Sequence, residues 1–182
     1  MIRTHVIPWL AAALVASVCV ARAAEAPIAP IPFSTTYAFS ARVLVATPVV
    51  IGQSSEGLRR FVPITGGSVS GPMLSGRVLA GSGDWQVVRA DGVLVVEARY
   101  TIETSDGVRI AVNNKGLRDA SPAVAERIMR GDAVAANEYY FRTVAQFEAP
   151  RGSKYEWMNK MLFACVAERR SDAAILHFYR VN

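Results

Sequence analysis

Two cysteines and two histidines are all that 182 residues carry, and that scarcity removes much of the chemistry open to a protein of this size. His5 and Cys19 fall near the N-terminus, so beyond it only Cys165 and His177 remain. One thiol cannot close an intramolecular disulfide, which leaves stability to packing. One imidazole cannot build a multi-histidine metal site, and no carboxylates cluster in ligand spacing, so neither metal nor cofactor is expected. No G-x-S-x-G elbow occurs, and the base for a nucleophilic serine would have to be His177. The glycine-rich stretch Thr65 to Gly71 lacks the lysine-serine or lysine-threonine step of a phosphate loop and suits barrel bends instead. Basic residues are scattered rather than run together, which disfavours nucleic acid as a partner. Cys165, in the apolar run Met161 to Val166, reads as a small buried hydrophobe.

What the chain does carry begins with an address. Arg3, the almost wholly apolar run Val6 to Val20 and the Ala21-Arg22-Ala23 step together read as a secretory signal over residues 1–23. A transmembrane anchor competes with that reading, but about fifteen apolar residues interrupted by Pro8 fall short of the roughly 18 to 20 a bilayer requires. The mature chain is expected in the periplasm or secreted, without a stable membrane anchor. Residues 24–32, with Pro27, Pro30 and Pro32, read as an extended linker. Residues 33–182 then form one domain. Formal charge is +5 for the whole chain, mostly from arginine, which suits pairing with carboxylates or anionic ligands.

Strand signals dominate that domain. Tyr37 to Pro48, Leu58 to Ile64, Val69 to Ala80 and Trp85 to Arg89 are rich in β-branched or aromatic residues and are separated by glycine. Asp91-Gly92 and Asp106-Gly107 are hairpin turn pairs flanked by apolar runs, so Trp85 to Arg89, Leu94 to Thr104 and Val108 to Asn114 are expected as an antiparallel meander. Ser121, Pro122 and Gly131 bracket a short helix over 122–130. Strands resume at Glu138 to Glu148, Trp157 to Arg169 and Ala173 to Val181. The fold class is all-β, either a closed or nearly closed antiparallel barrel or a sandwich.

The residues also resemble a known family. Gly57-Leu58-Arg59-Arg60, Pro63-Ile64-Thr65-Gly66-Gly67, Asp84-Trp85-Gln86, Asn114-Lys115-Gly116-Leu117-Arg118, Tyr139-Tyr140-Phe141-Arg142-Thr143 and Tyr155-Glu156-Trp157-Met158-Asn159 follow, in order and spacing, the uncharacterised bacterial and fungal family known as domain of unknown function 3237. Lys115 and Lys160 stand where arginine is expected, which keeps charge but loses a planar fork. The resemblance implies a small barrel similar to the calycin and allene oxide cyclase group, and no established activity. Barrels of that kind hold small apolar or amphipathic molecules in their mouths.

Candidate site residues follow from side-chain chemistry. Asp84 beside Trp85 is a carboxyl group in apolar company, suited to proton transfer; a turn role after Gly81-Ser82-Gly83 is the alternative. Glu97, Arg99 and Arg142 share the polar parity of their strands, and alternation alone leaves open whether that face meets water, a lumen or a second subunit. Tyr100, Tyr139, Tyr140, Trp157 and Asn159 offer aromatic walls with polar tips. Asn114 and Arg118 end a strand and are placed to rim a barrel mouth, and Arg89 lies beside a hairpin turn. The catalytic candidates are Asp84, Glu97, Tyr100 and Tyr140. Three readings remain: an exported barrel binding a small hydrophobic or aromatic molecule, a cofactor-independent isomerase, cyclase or lyase, and a homo-oligomeric structural barrel.

Overall fold

The computed structural model describes residues 28–182, so the expected signal segment and the first linker residues lie outside the described residues. Residues 28–34 carry no regular secondary structure and are exposed. The strands are β1 (Thr35–Val45), β2 (Val49–Ser54), β3 (Gly57–Ser70), β4 (Gly76–Val78), β5 (Ser82–Val88), β6 (Leu94–Thr104), β7 (Arg109–Asp119), β8 (Tyr140–Glu148), β9 (Phe163–Arg169) and β10 (Ala173–Val181). The helix α1 (Pro122–Arg130) sits between β7 and β8.

All pairings are antiparallel, and they close a ring. From β1 the order runs through β10, β9, β8, β7 and β6. β4 and β5 then share one position in tandem between β6 and β3, and β3 pairs back with β1. The result is an eight-stranded closed barrel, and the β1–β3 seam is what excludes a sandwich. Closure leaves no edge on the ring. β2 lies beyond the end of β1 and pairs with the start of β3 alone.

Several elements follow directly from the residues. Gly92 and Gly107 have φ of +86° and +85° and turn the two expected hairpins. Ser121 accepts a hydrogen bond from the Val124 amide, Pro122 opens α1, and Gly131 closes it at φ +83°. β3 departs from the expectation. The glycines after Ile64 predict the end of a strand there, yet β3 runs on to Ser70, because Gly66 and Gly67 bend it at φ +140° and +148°. A Cβ at Gly67 would stand 2.0 Å from the Arg42 carbonyl oxygen, so only glycine admits the β1–β3 seam there. The expected strand Val69 to Ala80 is therefore the end of β3, a turn and β4. At the other end of the chain, Glu156–Lys160 is a 3-10 helix, and the strand expected from Trp157 starts at Phe163.

Alternation places the core inside the ring. Leu94, Val96, Tyr100 and Ile102 of β6 are buried, as are Phe141, Thr143, Ala145 and Phe147 of β8, while Glu97, Arg99, Tyr140 and Arg142 face outward. One end of the barrel is solid. Phe39, Phe147, Phe163 and Phe178 stack there with ring centroids 4.8 to 6.4 Å apart, and Met158 is fully buried in the same core. Each such ring contributes about 1.5 to 3 kcal/mol by burial. The chain turns Arg89 to Val93 and Arg170 to Asp172, and the excursion carrying α1, all lie at the opposite end, where β5, β7 and β9 finish.

Candidate functional site

At that opposite end the interior parity class changes character. Along β3 the inward positions run Ile64, Val62 and then Arg60; along β7 they run Val112, Asn114, Gly116 and then Arg118; along β9 they run Phe163, Cys165, Ala167 and then Arg169. Each strand thus presents an arginine at this rim, above apolar side chains on β3 and β9 and above Asn114 and Gly116 on β7. Two small adjoining cavities, about 60 and 50 Å³, fill this half of the barrel and share Val45, Asp84, Phe141 and Ala174 in their walls. The outer one is rimmed by Arg60, Arg118, Arg169 and Gln86. The inner one is lined by Tyr100, Asn114, Thr143 and apolar neighbours.

Asp84 joins the two cavities. It stands inside the ring opposite Val62 and Ala98, and its carboxylate accepts hydrogen bonds from Gln86 Nε2 at 2.5 Å and from the Glu97 amide at 2.9 Å. Gln86 in turn accepts from Arg60 Nε at 2.7 Å, so Arg60, Gln86 and Asp84 form one chain across β3 and β5. Burial pushes the Asp84 carboxyl above its ordinary value, against the opposing pull of the Gln86 and Glu97 hydrogen bonds and of Arg60 and Arg118. Burial likewise lowers Arg60 and Arg169, and brings Arg118 down to about 10, with repulsion from Arg60 and Arg169 adding to the last.

The three guanidiniums are held differently. Arg169 donates to the Ala173 carbonyl at 2.8 Å, and its amide donates to the Tyr139 hydroxyl at 2.8 Å. Arg118, among the described residues, forms no ion pair within 4.0 Å. Three cations therefore face one carboxylate at a partly desolvated mouth. Such an end attracts negative charge.

Deeper in, the Tyr100 hydroxyl and the Asn114 side-chain oxygen are buried without a hydrogen-bond partner. The Thr143 hydroxyl is also unpartnered apart from the Cys165 thiol beside it, a weak partner. Burial raises Tyr100, keeping it protonated and a donor, and pushes Cys165 up to about 12.

The remaining sequence-expected residues lie elsewhere. Trp85 is exposed on the outer wall against Phe61, with centroids 5.0 Å apart. Arg89 pairs with Asp91 across its own turn at 2.5 Å. Glu97 lies outside and pairs with Arg99 at 2.6 Å and Lys115 at 2.9 Å, which lower its carboxyl below the ordinary value. Tyr140 is exposed beneath the Arg142 guanidinium, 5.4 Å from its ring centre. Trp157 packs against Phe163 at the solid end. Asn159 accepts from the Ala149 amide at 2.7 Å and donates to its carbonyl at 2.9 Å, bracing the same end. Glu97 and Tyr140, two of the four catalytic candidates, are thus on the outside of the wall while Asp84 and Tyr100 are within it. Arg99 and Asn159 border an open outer depression of about 610 Å³ over β6, β7 and β8. Its two charged residues, Arg99 and Glu148, are exposed to solvent, and Arg99 is already paired with Glu97, which makes the lumen the better candidate site despite its smaller volume.

Arg60, Gln86 and Arg169 are brought into the site without having been singled out in the sequence. The available signal for Arg60 and Arg169 was parity, since each is the polar member that ends an otherwise apolar inward series, whereas Gln86 shares its inward face with Ser82 and Asp84.

Comparisons with known proteins agree with this geometry at the level of family and fold. A family model described as "Protein of unknown function (DUF3237)" matches residues 33–181. A UPF0311 protein of Clostridium acetobutylicum is 39% identical over 145 residues, covering 79% of this chain and 91% of that one. The crystal structure of a conserved protein of unknown function from Rhodopseudomonas palustris superposes with a TM-score of 0.79 at 32% identity, covering 85% of this chain and 100% of the other. A hydroalkoxylation enzyme of Penicillium herquei is 32% identical over 96 residues, 53% of this chain and 62% of the enzyme.

Proposed function

The chain belongs to the DUF3237 family of unknown function, and from that premise, which brings no assigned chemistry, we propose that it binds a small amphipathic molecule by an acidic oxygen at the arginine end of the barrel. The observation that carries the reading is Arg118: a desolvated guanidinium aimed into a cavity, flanked by two further arginines and without an ion pair of its own among the described residues. A buried cation without a partner is costly unless a ligand supplies the counter-charge. Cavities of about 60 and 50 Å³ admit a compact head rather than a whole molecule, since even a benzene ring occupies an engineered cavity of about 150 Å³. The body of a larger ligand extends through the mouth, past Pro48 and Val45. Export to the periplasm or the medium belongs to the same proposal and rests on residues 1–23 alone.

Calorimetric titration with benzoate, benzyl alcohol and benzylamine, one ring with three charges, tests this. Benzoate alone is expected to bind, and Arg118→Met to remove that binding. Equal binding of the three, or preference for benzylamine, contradicts the proposal.

A second reading, cofactor-independent catalysis, is favoured by Asp84 and by the hydroalkoxylation enzyme among the relatives. Addition of an O–H across a carbon–carbon double bond breaks its π bond and the O–H bond, and forms one C–O and one C–H bond. No electrons are exchanged, so no redox cofactor is required. An un-ionised Asp84 gives its proton to carbon as the oxygen adds, and the resulting carboxylate takes the proton that oxygen releases, while Arg60 and Arg118 stabilise the developing negative charge. Following the Asp84 carboxyl carbon by NMR across pH tests the premise: a midpoint above the ordinary value agrees, and one at or below it does not.

A further inference from the structure

The inner cavity sets a second requirement on the ligand. Tyr100, Asn114 and Thr143 are 4%, 3% and 5% exposed, sit on three inward strand positions of β6, β7 and β8, and line one cavity of about 50 Å³. Buried polar atoms are nearly always hydrogen-bonded, and leaving one unmade is costly. Here the Tyr100 hydroxyl and the Asn114 oxygen have no partner, and the Thr143 hydroxyl meets only a thiol. Apolar residues would have filled the same places, as they do at the solid end. The space is polar, large enough for an oxygen-bearing group, and continuous with the arginine rim through the walls both cavities share.

We infer that Tyr100 and Asn114, with Thr143 beside them, form an interior subsite for a neutral oxygen, a hydroxyl or carbonyl, on the same ligand whose acidic oxygen meets Arg60, Arg118 and Arg169. The inference rests on the reading above for the outer end of the ligand and adds its inner end. Asn114 and Arg118 share the inward face of β7, so a ligand that reaches both lies along that strand. The two cavities, about 60 and 50 Å³, together fall short of the roughly 150 Å³ that holds one benzene ring, so the ligand class is a compact bifunctional molecule whose acidic and neutral oxygens are joined by a short unbranched chain. Tyr100 donates to the inner oxygen, and Asn114, whose amide offers both a donor and an acceptor, accepts from it when it is a hydroxyl.

Three probes separate the two ends: butyrate carries the charge alone, 1-butanol the neutral oxygen alone, and 4-hydroxybutyrate both. The Asn114 side-chain amide signals in the purified protein report the inner end, and titration calorimetry reports affinity. 4-Hydroxybutyrate is expected to bind at least tenfold more tightly than butyrate. Tyr100→Phe and Asn114→Leu are each expected to erase that ratio, with the fold of each variant checked by circular dichroism. Arg118→Met removes butyrate binding but still allows 1-butanol to move the Asn114 signals. If neither 1-butanol nor 4-hydroxybutyrate moves those signals, or if the gain survives in both inner variants, the subsite is refuted, whatever butyrate does. Failure of butyrate alone, with 1-butanol still reaching Asn114, removes the arginine anchor and keeps the inner subsite.

Discussion

Replacing Arg118 with methionine is expected to stabilise the protein while abolishing its capacity to hold an anion. The guanidinium is half-buried near the mouth, and its pKa lies at about 10, below the ordinary guanidinium value, because desolvation, then Arg60 and Arg169, outweigh the attraction of Tyr139 and Asp84. At about 1.4 kcal/mol per tenfold change in proton affinity, that depression corresponds to roughly 3 kcal/mol of strain in the charged form. Water reaching the mouth screens part of it, so about 1 to 2 kcal/mol is the expected gain on removal. Methionine keeps the length of the side chain and adds no unmatched polar atom. For a domain of this size such a gain raises the melting temperature by roughly 2 to 8 °C. Urea unfolding and thermal melts of both proteins at neutral pH measure it. A variant less stable than the parent by more than about 1 kcal/mol would show that the guanidinium is held by a partner within the fold, and the argument for a missing counter-ion would fail.

Asp84, raised by burial in the folded state, contributes stability that is complete below the ordinary carboxyl value of 3.8 and is lost as pH rises through the higher native value; Asp84→Asn should flatten that fall in urea titrations on the alkaline side of 3.8, and superimposable profiles would count against a raised carboxyl. Cys165, pushed up to about 12 and buried, should resist an aromatic disulfide reagent in the native protein and react on unfolding; prompt native labelling would contradict its place in the lumen wall. Asn159→Ala removes two hydrogen bonds to the main chain of Ala149 and should cost about 1 to 3 kcal/mol with benzoate affinity unchanged, since it braces the end remote from the arginines.

The strand pattern, the turn glycines and the helix were legible because each rests on local chemistry. Asp91-Gly92 and Asp106-Gly107 announce reversals, and Ser121-Pro122 with Gly131 announces a helix, whatever surrounds them. Glycine misled where its role was to bend rather than to stop, as at Gly66 and Gly67, because the need for close approach to Arg42 arises only once β1 and β3 meet. The site was half legible for a related reason. Asp84, Tyr100, Asn114, Arg118 and Tyr139 were singled out and lie within or beside the lumen, whereas Glu97, Arg99, Tyr140 and Arg142, chosen for charge beside aromatics, face out. Charge near an aromatic ring describes an ordinary solvated strand face as well as a pocket. The more discriminating sign was a polar residue in the apolar parity class, which marks Asn114 and Arg118, and which also marks Arg60 and Arg169 once the registers of β3 and β9 are known; on β5 the inward class is itself mostly polar, so Asp84 and Gln86 are placed by the pairing with β3 and β6 alone.

The most direct test of the arginine-lined mouth is to follow the arginine side-chain Nε–Hε signals in the purified protein as benzoate is added. Arg60, Arg118 and Arg169 should shift together with one saturation curve, while Arg77, Arg99 and Arg109 on the outer wall stay still. A response confined to Arg99 and its neighbours, or no saturable response among the three, would contradict the assignment of the site to the interior of the barrel.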